Sequence, residues 1–208
     1  DGYDVVVVGC GQGADTCDND VLEGRTAVTH QCSHCSYLLR RIAKSLSLCY
    51  VSMKEYMLEN RLYPAVSERL QSKREYLDSC IFLSWRRLCR SHDVLDPAEE
   101  HLKMRLLKSA ATWDVFFQHF LAEQQFDRVI MTNGAFFAEE VLRRHCHALG
   151  IEYTCYEMGY WRKTLQITHN RCIHPYSVRE QLGAFLDQPL TSDQKSEIDE
   201  HMRSRRGH

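Results

Sequence analysis

The stretch DRVIMTNGAFFAEEVLRRHCHALGIEYTCYEMGY, residues 127–160, restricts the fold more than any other part of the chain. Arg128–Thr132 is a short apolar run that predicts a strand. Thr132-Asn133-Gly134 predicts a turn. Ala135–Leu149 predicts a helix with Phe137, Ala138, Val141, Leu142 and Leu149 toward a sheet. Gly150 suits the position after a helix because it tolerates positive φ, and Ile151–Tyr156 predicts the next strand. Strand, helix and strand in that order make a β-α-β unit, whose strands run parallel with a right-handed crossover. A further strand is expected near Leu165–Thr168.

The N-terminal residues pose a sharper question. Asp4–Val8 predicts a strand that runs into Gly9, Gly11 and Ala14, matching G-x-G-x-x-[GA], the dinucleotide fingerprint. That motif needs a helix directly after the turn, with its first amides on a pyrophosphate. Here the next residues are Asp15-Thr16-Cys17-Asp18-Asn19-Asp20, which favour turns and carry three carboxylates that would repel one. The sequence therefore favours a strand ending in an irregular polar loop, residues 10–31, over a nicotinamide or flavin site. Such loops are where α/β proteins place their ligands.

Between these two regions the pattern is helical. A helix is expected over Ser33–Ser47, with Tyr37, Leu38, Ile42 and Leu46 as its apolar stripe and Arg40, Arg41 and Lys44 toward water. A short strand at Leu48–Val51 precedes Ser52-Met53-Lys54-Glu55, which has the spacing of a capping serine and a glutamate three residues on. Residues 65–125 carry Leu70, Leu77, Ile81, Trp85 and Leu88 on one helical face. After the cap Asp96-Pro97, Leu102, Leu106, Ala110, Trp113, Phe117 and Phe120 continue another. These aromatics are expected to be core. Near the C-terminus, helices are expected over about 176–206, the last opening with Thr191 and Gln194 at capping-box spacing.

Composition excludes some classes. With 208 residues and a formal charge of −2, no global field favours nucleic acid, and no apolar run approaches the roughly 18 residues of a membrane span. Ten cysteines are spread along the chain, several within helical patterns, including Cys80, Cys89 and Cys146. That spread predicts reduced thiols and a cytoplasmic protein rather than a disulfide-stapled module. Cys32-Ser33-His34-Cys35 is a C-x-x-C, and Cys17 lies upstream. Together they could hold a structural zinc, but the second ligand pair of a strong zinc signal is absent, and inert thiols are the simpler expectation.

Three polar segments follow predicted strands and should converge on one rim of the sheet: Cys10–Asn19, Asn133-Gly134, and Glu157, Gly159 and Tyr160. Asn133 is either a plain helix cap or a donor and acceptor for a sugar. Gly134 would leave a bare amide for a phosphate or hydroxyl. Glu157 is either a general base or hydroxyl clamp, or half of a salt bridge. His174, before Pro175, is a second candidate base, with a capping or surface role as its alternative. His145 and His147 are expected to be partly exposed structural residues.

Taken together, the loop with TCDND, the CSHCSYLLRRIAKSLSL helix, the long helical segment and TNGAFFAEEVLRRHCHALGIEYTCYEMGY resemble the N-terminal lobe of bacterial GT-B glycosyltransferases of the capsule and surface-polysaccharide kind. The matching positions are Cys17, Asn19, Cys32, Cys35, Asn133, Gly134, Gly150, Ile151, Glu157, Gly159 and His174. The family often has Asn-Gly-Arg where this chain has Ala135, which removes a cation. The resemblance implies one α/β Rossmann-like lobe over 1–208, with a parallel sheet, helices on both faces and a helical insertion at about 65–125. It implies a nucleotide-sugar donor, a glycan or lipid-linked acceptor, and no required cofactor or catalytic metal. It also implies a second lobe in the full-length protein and a place in the cytoplasm, peripheral at the inner membrane. Glu157 and His174 would be catalytic, and Asn133, Gly134, Gly159 and Asn19 would bind substrate. The alternative is a non-catalytic module that docks a partner through its helical segment.

Overall fold

The structure, a computed structural model, describes residues 3–17, 30–88, 97–159, 163–173 and 189–206. The chain divides into two compact units, Asp1–Ile173 and His174–His208. The described part of the second unit contains one helix, α7 (Ser192–Arg206). Its start is the capping box expected from sequence: the Thr191 amide donates to Gln194 Oε1 at 3.0 Å and the Gln194 amide to Thr191 Oγ1 at 3.3 Å.

The first unit is mixed α/β. Its described elements are β1 (Val6–Gly9), α1 (His30–Ser45), β2 (Cys49–Ser52), α2 (Met53–Glu59), α3 (Tyr63–Ser72), α4 (Arg74–Leu88), α5 (Pro97–Glu123), β3 (Arg128–Thr132), α6 (Phe137–Leu149), β4 (Glu152–Met158) and β5 (Leu165–His169). β1 pairs in parallel with β2, Val6 opposite Cys49 and Gly9 opposite Ser52. β3 pairs in parallel with β4, Arg128 opposite Glu152 and Thr132 opposite Tyr156. The β-α-β unit expected over residues 127–160 is therefore present, and Gly150 closes its helix at φ 69°. β5 falls at the expected place but runs antiparallel to β4, because the connection through Gly159 and Thr164 is a hairpin rather than a crossover.

Four expectations change. Among the described residues the strands form two small sheets, β1-β2 and β3-β4-β5, rather than one. The face of the second sheet that carries Ile130, Tyr156, Met158, Leu165 and Ile167 is exposed. The expected stripe of α1 is exposed too: Tyr37, Leu38, Ile42 and Leu46 all face outward, and the helix buries the small Ala43 instead. Leu149, expected toward the sheet, is half exposed at the end of α6.

The core is helical. α5 is buried nearly all round from Leu106 to Leu121, with only Lys108, Gln118 and His119 among its less covered positions. Phe116 stacks on Phe120 at 5.1 Å and Trp113 on Phe117 at 5.0 Å. Met53 and Met57 of α2, Val66 of α3, Leu77 and Ile81 of α4, and Phe137 and Val141 of α6 close around it. The helical insertion is thus the centre of the unit rather than an appendage. The Ser52 cap forms as expected, its hydroxyl accepting from the Glu55 amide at 3.4 Å. Asp96 and Cys89 lie outside the described residues. No described helix is long and apolar enough to cross a membrane.

One charged group sits inside this core. The Asp114 carboxylate on α5 accepts from Arg69 of α3 at 2.5 Å and meets His145 Nε2 of α6 at 2.7 Å, with its side chain 1% exposed. Burial alone would raise the Asp114 carboxyl. The hydrogen bond and charge of His145, the charge of Arg69 and a hydrogen bond from Tyr76 outweigh it and hold the group below its ordinary value of 3.8. A carboxyl depressed in the folded state contributes fully above its unfolded pKa, and that contribution is lost as pH falls through the folded value. Asp114→Asn is expected to cost about 3–5 kcal/mol in urea unfolding at pH 7, as for breaking one side of a buried ion pair. The same variant should flatten the loss of stability below about pH 4, where the native group begins to approach its folded pKa. An unchanged acid slope would remove Asp114 as its source.

Candidate functional site

The carboxyl ends of β1, β3 and β4 open onto one cleft of about 490 Å³. Cys10, Ala14 and Cys17 line it after β1, Thr132 and Asn133 at the end of β3, and Tyr156, Glu157 and Met158 at the end of β4. The start of α6 contributes Phe136 and Glu139, α5 contributes Trp113, and α4 contributes Arg87. Asn133 and Glu157 therefore share a rim, as the strand order implied.

The loop after β1 is shaped by packing. Gly11 takes φ 60° and its missing Cβ makes room for the Ser52 hydroxyl, while a Cβ on Gly13 would lie 2.7 Å from Met53 Cε. The Cys10 carbonyl accepts from the amides of Gly13 at 3.0 Å and Lys54 at 3.3 Å. No helix follows the turn directly, since residues 14–17 are irregular. The loop is held against α5: the Thr16 amide donates to Ser109 Oγ at 3.0 Å, and Lys108 pairs with Asp15 at 2.8 Å.

The turn after β3 has local work to do. Asn133 is buried, and its Oδ1 accepts from the Ala135 amide at 2.8 Å, so its carbonyl side serves the turn. Gly134 takes φ 75°, and a Cβ there would lie 2.6 Å from Cys155 Sγ. Gly134 is not on the cleft wall; its bare backbone lets Cys155 approach, not a ligand. Gly159 is likewise off the wall, where its amide donates to the Thr164 carbonyl at 2.8 Å and holds the β4–β5 hairpin. Ala135 is buried, so a larger side chain at this position would have no space.

Glu139 is the residue sequence reasoning missed. It is the third residue of α6, and the helical twist turns its side chain back over the end of β3. The Thr132 hydroxyl donates to its Oε1 at 2.5 Å. Burial pushes the Glu139 carboxyl above the ordinary glutamate range, and the Thr132 hydrogen bond only partly opposes this. The available signal is AEE at a helix start directly after a strand end, a pattern that helix-dipole charge alone would explain. Arg87, one of two arginines in the last turn of α4, carries no comparable signal in the sequence. Its guanidinium carbon stands 4.5 Å from the centroid of Phe136.

The remaining candidates do not assemble with these. Asn19, Tyr160 and His174 lie outside the described residues. Cys17 lines the cleft, while Cys32 and Cys35 stand in the first turns of α1. Among the described residues no group of three or more His, Cys, Asp or Glu is gathered to hold a metal ion, and no disulfide joins the described cysteines. Burial pushes the thiols of Cys80 and Cys155 up to about 11 and that of Cys146 to about 12, which leaves them protonated and unreactive at neutral pH. His145 is partly exposed, as expected, and its ring meets Asp114. Comparison of the chain with protein-family models, with curated proteins and with solved structures finds no match.

Gly134→Ala is expected to destabilise the fold by about 2–3 kcal/mol in urea unfolding, from the left-handed backbone and the clash with Cys155 together. Adding Cys155→Ala should recover only the steric part. Full recovery would mean that the backbone conformation carries no cost.

Proposed function

We propose that this cleft is the acceptor-side site of a two-lobed, GT-B-type glycosyltransferase of surface-polysaccharide or lipid-linked glycan synthesis. The first unit would be one Rossmann-like lobe, and a nucleotide-sugar-binding lobe would complete the enzyme. The observation that carries this reading is the meeting of the segments after β1, β3 and β4 at one cleft, with two glutamates between aromatic walls. Trp113, Phe136 and Tyr156 give the lining aromatic surface of the kind that suits the C–H faces of a sugar.

In the reaction the acceptor oxygen forms a bond to the anomeric carbon of the donor. The carbon–oxygen bond to the nucleotide breaks, and its electron pair leaves with the phosphate. The hydroxyl proton passes to a carboxylate. Glu139 suits that role, because a carboxyl raised by burial is a stronger base once ionised. Glu157, at the end of β4 in the same cleft, suits a clamp on neighbouring hydroxyls. The nucleotide-sugar enters as substrate, and no step calls on a resident cofactor.

Docking through the helical segment, as a non-catalytic module, has less support. The apolar faces of α5 that would dock a partner are spent inside the core.

The test is to incubate the chain with UDP-, GDP- and CMP-sugars, with and without candidate glycans. Nucleotide release with glycan extension supports a working transferase, and glycan binding without release supports an acceptor lobe that needs its partner. Absence of both sinks the proposal. In a reconstituted reaction, Glu139→Gln is expected to lower kcat by about 10²–10⁴-fold, the usual loss for a general base, with acceptor binding within a few-fold. The rise of activity with pH, set above the ordinary glutamate range by burial of Glu139, should disappear in that variant.

A further inference from the structure

Resting on the reading of the cleft as a sugar site, we propose that it takes a sugar carrying an oxyanion, phosphate or carboxylate, and that Arg87 binds that group. Arg87 lies in the last turn of α4 and lines the cleft. One turn earlier, the fully buried Ser84 accepts the Phe137 amide at 2.9 Å. Residues three apart share a helix face, so the contact that seats α4 on the start of α6 also delivers Arg87 over Phe136. Arg87 stays exposed to solvent while its guanidinium carbon sits over the Phe136 ring at 4.5 Å.

Its partners set it apart. Arg40, Arg69, Arg74, Arg128, Arg143 and Arg144 each meet a carboxylate. Among the described residues Arg87 meets none and has only the Phe136 ring, although Glu139 and Glu157 line the same cleft. The Phe136 ring under the guanidinium carbon offers it no oxygen acceptor. The N–H donors lie in the guanidinium plane, in the fork that matches a carboxylate or phosphate two bonds at a time. The cleft thus has a cation from α4 and carboxylates from α6 and β4 in its lining. A ligand that satisfies both carries an anionic group at one end and hydroxyls at the other.

The experiment is calorimetric titration of the full chain with matched sugar sets: glucose, glucose 6-phosphate and glucuronate, then galactose, galactose 6-phosphate and galacturonate, with inorganic phosphate as a further arm. In at least one set an anionic member is expected to bind about tenfold or more tighter than the neutral sugar, the yield of a charge-assisted contact. The phosphate and carboxylate arms tell which oxyanion it is. Arg87→Ala should abolish the preference, Arg87→Lys should keep part of it, and Arg86→Ala should keep all of it. Thermal unfolding checks that each variant folds. Neutral sugars bound as tightly as anionic ones in every set, or a preference that survives Arg87→Ala, would overturn the proposal and leave the sugar site standing. Inorganic phosphate bound as tightly as the sugar phosphates would also overturn it. Binding of no sugar at all would remove both the sugar site and this assignment.

Discussion

The contact between Asp114 and His145 fixes more of this protein than its size suggests. It joins α5, the buried centre of the first unit, to α6, whose first residues form the wall of the cleft. Arg69 ties α3 to the same carboxylate, and further along α6 Glu140 takes Arg143 and Arg144, with Arg144 reaching Ser79 of α4. At the other end of α6, Ser84 holds the Phe137 amide. A helix pinned near both ends cannot slide or rotate freely, so Phe136 and Glu139 are presented at a set angle. Buried ion pairs of this kind add little net stability against an apolar substitute, because desolvation opposes the attraction. Their use here is to select one register of α6 on α5, which apolar contacts alone specify less sharply.

The parts of the fold legible from sequence were those fixed by neighbours in the chain. The β-α-β unit, the Gly150 terminus, the Ser52 cap and the Thr191–Gln194 box all depend on contacts within a few residues, and they appear where expected. What failed depended on distant neighbours. A stripe such as Tyr37, Leu38, Ile42 and Leu46 states that a helix has an apolar side, but not what covers it, and the face that α1 covers instead carries Cys32, Ser36, Leu39 and Ala43. The 3.6-residue period of α5 likewise indicated one buried face, whereas α2, α3, α4 and α6 bury nearly all of its middle. Hydropathy could not separate these cases, since Phe116 and Leu107 lie off the expected face and are as buried as Leu106 on it.

The site shows the same division. That the strand ends would converge followed from topology, and the shared cleft of Asn133 and Glu157 agrees with it. The roles within it did not follow. Glycines beside strands suggested ligand approach, but Gly11, Gly134 and Gly159 give their space to Ser52, Cys155 and Thr164. A missing Cβ is a statement about crowding, and a side chain from the same protein crowds a backbone as readily as a ligand does. The groups that face the cleft with chemistry to offer, Glu139 and Arg87, come from a helix start and a helix end, where charge is ordinarily explained by the dipole and by solvent.

That pairing of origins gives the cleft its character. Glu139 enters from the N-terminus of α6, where the positive end of the dipole would favour its ionised form, yet burial dominates and raises its carboxyl. Arg87 enters from the C-terminus of α4, where the negative end of that dipole supports a cation. Each charge stands at the helix terminus that suits its sign, and Phe136 stands beside the guanidinium as an apolar screen. Among the described residues no ion pair joins Arg87 to Glu139, although both line the cleft. The separation is what leaves them available to a third molecule, because a closed Arg–Glu pair would satisfy both and present nothing.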